Sequence, residues 1–222
     1  MSKSKGNVVS PDEFVKSFGS DVFRMYLMFM GPFEGGGDWN DSGIMGIVRF
    51  VQRLHRTITT KSNGKVLKDS PAVTSLLHKT IKKVTEDIRT LHFNTAISSL
   101  MQLLNLAEKE DALSLEFCKA VSLLIEPLAP HLSDELWSAL GQKGFAIEQK
   151  WPVHDEALTV DDELKIVVQV NGKLRGDLMV SKDASKEEVL KLAKELENVA
   201  KYLESGIKKE IYVPGKLVSF VV

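Results

Sequence analysis

Residues 165–180, KIVVQVNGKLRGDLMV, decide how this chain must be divided. Apolar and polar side chains alternate there at a period of two, on either side of Asn171-Gly172. Two alternating runs joined by Asn-Gly predict a hairpin, because the tight turn needs positive φ at both central residues. Just downstream, Ser185 and Glu188 have the spacing of a capping box, which predicts a helix to about Leu203, stopped at Gly206. KKEIYV (208–213), the turn Pro214-Gly215 and KLVSFVV (216–222) then predict a second pair of strands. From about residue 162 the chain reads as a compact ββαββ unit.

Upstream, the period is helical for about a hundred residues from Asp41. Ile44, Ile47, Val48, Val51, Leu54 and Ile58 form one stripe, and Leu77, Ile81, Val84, Ile88 and Leu91 form a second. A third runs through Ile97, Leu100, Met101 and Leu104. Apolar segments at 115–125, ahead of Pro127 and Pro130, and at 132–140, ending at Gly141, complete the set. Such stripes are the buried seams of an antiparallel α-helical bundle. Before it, Ser10-Pro11-Asp12-Glu13 predicts a helix start with a capping box, and Gly19 a stop. A second short helix carries Val22, Phe23, Tyr26, Leu27 and Met30 and ends at Gly31-Pro32. GPFEGGGDW (31–39) lacks the Gly-Lys-Ser/Thr ending of a P-loop and reads as flexible linkage. The expected organisation is a lead-in over 1–40, a helical bundle over 41–150 and a small α+β domain over 160–222. The join, QKWPVHDEALTVDDE (149–163), is polar and without clear periodicity.

The 222 residues, 43% hydrophobic and 27% charged, suit globular domains that bury their own cores. A net charge of −1 leaves any basic surface to local asymmetry. The single cysteine, Cys118, lies in the apolar run LEFCKAVSLLIE. It reads as a small buried hydrophobe, excludes a disulfide framework and a Cys-based zinc site, and fits a reducing compartment. With no signal-peptide core and no apolar run long enough to span a bilayer, the expectation is a cytoplasmic chain without a membrane partner. Histidines 55, 78, 92, 131 and 154 show no metal-ligand spacing, and His131 in APHLSDELW reads as a helix-start residue. No metal site is expected.

Local charge is uneven in two places. Between Asp41 and Asp69 there is no acidic residue, yet Arg49, Arg53, Arg56, Lys61, Lys65 and Lys68 fall there. The three arginines, four and three apart, share one helical face opposite the apolar stripe. Unpaired like charges at that spacing repel, so the face is either a basic stretch of surface or a track for nucleic-acid phosphates. In the terminal unit, strands and turns carry Lys165, Lys173, Arg175, Lys182, Lys208, Lys209 and Lys216 against only Asp177 and Glu210. Tyr212 and Phe220 read as core, which favours recognition of shape and phosphates over stacking on single-stranded bases. At the start, MSKSKGN (1–7) sets Lys3 and Lys5 among small hydroxyls, with Gly6 free for positive φ. That composition suits a loop closing over phosphates and equally a disordered tail.

MSKSKGNVVSPDE (1–13) resembles the second signature of class I aminoacyl-tRNA synthetases, the Lys-Met-Ser-Lys-Ser loop, with its first lysine absent. The remainder is similar to the C-terminal portion of bacterial-type leucyl-tRNA synthetases. GSDVFRMYLMFMGPFE, DWNDSGIMGIVRF, HKTIKKVTEDI, FNTAISSLMQLLN, EPLAPHLSDELW, VVQVNGKLRGDLMVSKDAS and IKKEIYVPGKLVSFVV carry that likeness, which spans essentially the whole chain. The resemblance implies that Lys3 stabilises the pyrophosphate leaving group during amino-acid activation, with Ser2, Ser4 and Lys5 completing a loop over ATP, which acts with Mg2+. It also implies that the bundle is of the anticodon-binding type and lies along the tRNA stem, while the terminal domain touches the tRNA corner.

Candidate tRNA contacts are accordingly Arg49, Arg53, Arg56, Lys61, Lys173, Arg175, Lys208, Lys209 and Lys216. The implied partners are leucine tRNA and the N-terminal catalytic and editing portion, since neither a His-Ile-Gly-His signature nor a nucleotide-binding sheet is present. The expectation is a mainly α chain, inactive in aminoacylation by itself, with no cofactor of its own. A fragment that begins inside the signature loop is the leading reading. A stand-alone RNA-binding module and the smaller subunit of a split synthetase are the alternatives.

Overall fold

The computed structural model describes residues 10–37, 39–40, 42–62, 64, 68–159, 163–181, 184–203 and 206–222. Contacts divide the chain into two units, Met1–Thr159 and Val160–Val222. The first is helical. Its helices are α1 (Pro11–Phe18), α2 (Ser20–Phe29), α3 (Ile44–Lys61), α4 (Pro71–Arg89), α5 (Phe93–Ala107), α6 (Leu115–Ile125) and α7 (Pro130–Ala139). The second holds β1 (Glu163–Val170), β2 (Lys173–Ser181), α8 (Lys186–Glu195), α9 (Glu197–Leu203), β3 (Lys209–Val213) and β4 (Leu217–Val221). The protein is therefore mainly α, a helical bundle followed by a small α+β unit.

In the bundle the stripes are buried. Ile44, Ile47, Leu54 and Ile58 of α3, Leu77, Ile81 and Val84 of α4, and Ile97, Leu100 and Leu104 of α5 join one core with Phe117, Val121, Ile125 and Leu136. Each fully buried side chain of this size adds about 1.5–3 kcal/mol relative to exposure. Serine caps start two of the helices. Ser70 accepts from the Val73 amide ahead of Pro71, and Ser114 accepts from the Phe117 amide at 3.0 Å. Asp69 holds that second cap in place, accepting from the Ser114 amide at 2.8 Å and its hydroxyl at 2.5 Å. A helix start is thus fixed by a carboxylate from a distant part of the chain.

Four local expectations are corrected. Ser10 makes no side-chain cap to α1. Both Ser10 and Glu13 are exposed there, so water competes for the hydroxyl and carboxylate, and Pro11 alone presets the first turn. The glycine-rich stretch is not slack linkage. Its turn is closed by Gly35 and Gly36 amides donating to the Pro32 carbonyl at 3.0 and 2.9 Å. A Cβ on Gly31 would lie 2.2 Å from the Gly36 carbonyl oxygen, and one on Gly37 2.5 Å from that of Met30. Backbone there approaches backbone more closely than any side chain allows.

Leu91, expected in the α4 stripe, lies beyond the helix end, 44% exposed, with φ of 60°. The His92 amide donates to Asp87 and the Leu91 amide to Ile88, the two bonds of a Schellman ending in which this position must be left-handed. Finally, the terminal helix is broken at Leu196, whose ψ of 121° is extended, so α8 and α9 pack separately on the sheet. Ser185 and Glu188 do form the expected capping box, at 3.2 and 3.0 Å.

The sheet has strand order β2-β1-β4-β3, with β1 and β4 parallel at its centre and antiparallel pairs on both flanks. Asn171 and Gly172 both take positive φ, as the hairpin requires. Ile166, Val168, Val170, Leu178, Val180, Val218 and Phe220 meet Val189, Leu190, Ala193 and Val199 of the helices in a second core.

Residues 149–159, polar and without clear periodicity in sequence, are strapped along α4. Trp151 Nε1 donates to Thr85 Oγ1 at 2.8 Å, the Asp155 amide to His78 Nδ1 at 2.9 Å, and Lys82 Nζ to Glu156 Oε1 at 2.6 Å. Positions 78, 82 and 85 lie on one helical face, so the strap follows the helix axis.

Candidate nucleic-acid interface

Ser2, Lys3, Ser4 and Lys5, the residues of the signature loop, lie outside the described residues. The lead-in that follows enters the bundle core through Val22, Met25 and Tyr26 and is tied to α7 by a buried carboxylate. Asp21 on α2 accepts from the Leu132 amide at 2.8 Å and lies 2.8 Å from His131 Nδ1, both in the first turn of α7. The His131 imidazole is held above its ordinary value, first by that hydrogen bond and then by the Asp21 charge. His131 is thus a helix-start residue whose partner comes from α2, a pairing that no local spacing could have indicated. Within the lead-in Phe14, Phe23, Tyr26 and Trp39 form an aromatic cluster, with the Phe14 and Tyr26 rings edge-on to Trp39 at 4.9 and 5.2 Å.

The α3 face is basic in sequence but partly neutralised in space. Arg53 Nε donates to Glu108 Oε1 at 3.1 Å, one terminal nitrogen donates to Asn105 Oδ1 at 2.7 Å, and the same nitrogen also contacts Glu108 Oε2. Arg56 lies 3.5 Å from the same carboxylate. The Arg53 bond holds the Glu108 carboxyl below the usual carboxylate range, and the paired guanidinium is raised in turn. Lys61 Nζ donates to the Glu108 and Glu110 carbonyls at 2.6 and 2.5 Å, where cations suit the negative end of α5. Arg49 alone of the four is exposed with no ion pair or hydrogen bond among the described residues. The acid-free stretch of sequence therefore overstates the free charge, because Glu108 arrives from another helix.

In the second unit both acids are engaged. Lys165 meets Asp177 at 3.0 Å and Lys194 meets Glu210 at 2.8 Å. Lys173, Lys208, Lys209 and Lys216 remain exposed, with no ion pair among the described residues. Arg175 is half-buried, its guanidinium carbon 4.0 Å from the centroid of the Tyr202 ring. Tyr202 was missed by the sequence reading because it sits in a helix of mixed charge, remote from the strand it meets.

Other candidates carry little chemistry. Cys118 is buried and its thiol is pushed up to about 11, chiefly by desolvation, as befits an inert core residue. Among the described residues no group of three or more His, Cys, Asp or Glu could hold a metal ion. Nor is any described helix long and apolar enough to cross a membrane. A groove of about 670 Å³ beside α4 and α5 is lined by Leu76, Lys79, Lys82, Lys83, Ser99 and Gln102. Lys82 and Lys83 there are paired with Glu156 and Asp87.

Comparison with known proteins gives matches to protein families and to solved structures. The anticodon-binding domain of tRNA ligase matches residues 72–190, and the class I (M) tRNA synthetases match residues 1–52. The Agrobacterium radiobacter K84 agnB2 LeuRS, solved as a ternary complex with tRNA and LeuAMS, superposes with a TM-score of 0.75 at 29% identity. That match covers 100% of this chain and 31% of the other.

Proposed function

The chain belongs to the anticodon-binding-domain family of tRNA ligases, and from that membership we propose that it is the tRNA-binding C-terminal portion of a leucine–tRNA ligase. The observation that carries the proposal is the likeness to LeuRS over the full length of this chain, bundle and terminal unit together. The chain spans 31% of that relative, so aminoacylation belongs to the proposed complete enzyme, with the nucleotide-binding and editing portion as its partner. This chain by itself holds tRNA and does not charge it.

The surface chemistry supports that role. Arg49 on α3 and Lys173, Lys208, Lys209 and Lys216 on the terminal unit offer unpaired cations to backbone phosphates, while Arg53, Arg56 and Lys61 are shared with the α5 end. Phosphate contacts of this kind position an RNA and make its affinity salt-dependent. For the complete enzyme, the class I match over residues 1–52 supports Lys3, with Ser2, Ser4 and Lys5, facing the phosphates of ATP, which is used with Mg2+. We assign the enzyme to the cytoplasm, where its substrates and tRNA meet.

The test is binding of a leucine tRNA transcript, in competition with transcripts for other amino acids, followed by fluorescence anisotropy. Submicromolar, salt-sensitive binding that other tRNAs displace poorly supports the proposal. Equal displacement by every tRNA would favour a general RNA-binding module, and no binding would overturn both. Adding the separately produced N-terminal portion and assaying leucine-dependent pyrophosphate exchange then decides whether the chain works as a separate subunit.

A further inference from the structure

We propose that Arg175, laid against Tyr202, is a preset fork for one backbone phosphate of a bound RNA, with Tyr202 as its positioning residue. This rests on the RNA-binding reading above and adds to it a defined site, ligand group and geometry. Three observations meet at this side chain.

The first is backbone. Val168 of β1 pairs with Gly176 and Gln169 pairs with Leu174, so Arg175 is the extra residue of a β-bulge. Bulges leave one residue out of the ladder, sharpen the local twist and re-aim its side chain. Gly176 follows directly, and a Cβ there would already meet Leu196 Cδ1 at 3.4 Å and Val199 Cγ2 at 3.9 Å. The start of α9 thus packs against β2 at the residue that follows the bulge.

The second is the stack. The guanidinium carbon lies 4.0 Å from the Tyr202 centroid, well inside cation–π range, and Lys201 Nζ lies 5.5 Å from the same ring. Stacking removes rotamer freedom from a long side chain before any ligand arrives.

The third is an unmet donor. Arg175 Nε is buried and makes no hydrogen bond among the described residues. A guanidinium has five N–H donors and no acceptor, and Arg175 makes no hydrogen bond or ion pair among the described residues, which leaves its accessible terminal nitrogens to an outside acceptor. Arg53 shows the structural solution in this same chain, with its Nε on Glu108. Among the described residues Arg175 has no such carboxylate, and Asp177, two residues on, is held by Lys165. With Lys173 and Lys201 nearby and unpaired among the described residues, the local field is positive. Because Nε is closed to solvent, a phosphate meets the fork end-on and takes its two terminal nitrogens as a bidentate partner, a pairing for which the planar guanidinium is shaped.

The experiment uses the full chain, a leucine tRNA transcript and anisotropy across a salt series. Arg175→Gln should flatten the slope of log K against log salt by about 0.7–0.9. Tyr202→Leu should keep the slope and weaken binding about two- to tenfold, the cost of ordering a freed side chain, while Tyr202→Phe binds like the parent. Parent-like affinity and slope in Arg175→Gln, or parent-like affinity in Tyr202→Leu, would overturn the proposal. A second measurement stands apart from these variants and from the tRNA itself. The Arg175 Nε–H resonance of the nitrogen-15-labelled parent is followed on titration with hexauridylate. A saturable shift upholds the phosphate site even if the parent discriminates no tRNA, and an unmoved resonance overturns it even if the parent binds tRNA elsewhere.

Discussion

Glu108→Gln separates the two roles of the α3 arginines, because it should weaken the fold and strengthen nucleic-acid binding at once. Glu108 receives two guanidinium contacts from Arg53 and a longer one from Arg56 at 3.5 Å. A fully buried pair of this geometry would lose several kcal/mol when broken. Here the Arg53 and Glu108 side chains are 40% and 23% exposed, so solvent screening reduces the expected loss to about 1 kcal/mol. The Lys61 bonds go to main-chain carbonyls of Glu108 and Glu110 and survive the substitution, which keeps the end of α5 in place. The stability difference must also depend on pH. Arg53 holds the Glu108 carboxyl below its ordinary 4.5, so its contribution is present above that value. It is lost as pH falls through the depressed folded value, and the parent should converge on the variant only in acid.

Neutralising Glu108 leaves Arg53 and Arg56 as net positive charge beside Arg49. If that face follows phosphates, the salt slope steepens by about 0.7–0.9 for each arginine that gains a contact, and by up to about 1.8 in all. Thermal melts at neutral and acid pH read the first effect, and anisotropy with a tRNA transcript over a salt series reads the second. A destabilised variant whose affinity and slope equal the parent's would refute the phosphate track and leave Arg53 and Arg56 as ties between α3 and α5. A variant of unchanged stability would refute the energetics of the pair.

The sequence made the architecture legible wherever a period was long and uninterrupted. Helical stripes and the Asn171-Gly172 hairpin are local signals, each set by residues within a few positions of one another. What it hid was pairing of polar and charged groups across space. Asp21 with His131, Asp69 with Ser114 and Glu108 with Arg53 join residues far apart in the chain, and none leaves a trace in local spacing. The candidate interface suffered most, since a cation reads as free until the helix that neutralises it is known. Leu91 and Gly31 were misread for a different reason. Hydrophobic pattern reports which side a residue would face in a helix, and is blind to a helix that has already ended. Composition likewise reports that glycines permit motion, and is blind to backbone contacts that leave none.

Those two corrections give direct stability predictions. Leu91→Gly should stabilise the bundle by about 0.5–1 kcal/mol in chemical denaturation, since relief of the left-handed strain exceeds glycine's added unfolded-state freedom. Gly31→Ala should destabilise it by roughly 1–3 kcal/mol, because the new methyl would meet the Gly36 carbonyl; a neutral outcome would mean that the turn is not closed in solution. The last prediction concerns His131, raised above its ordinary 6.5 first by its hydrogen bond to Asp21 and then by that charge. A group raised on folding stabilises most where both states hold the proton, below about 6.5, and its contribution disappears as pH rises through the higher folded value. His131→Asn should therefore cost stability at pH 5.5 and much less at pH 8, with the Asp21 bond to the Leu132 amide intact throughout. If instead the gap between parent and variant widens toward alkaline pH, the imidazole is acting as a neutral partner, and Asp21 holds α7 through the amide alone.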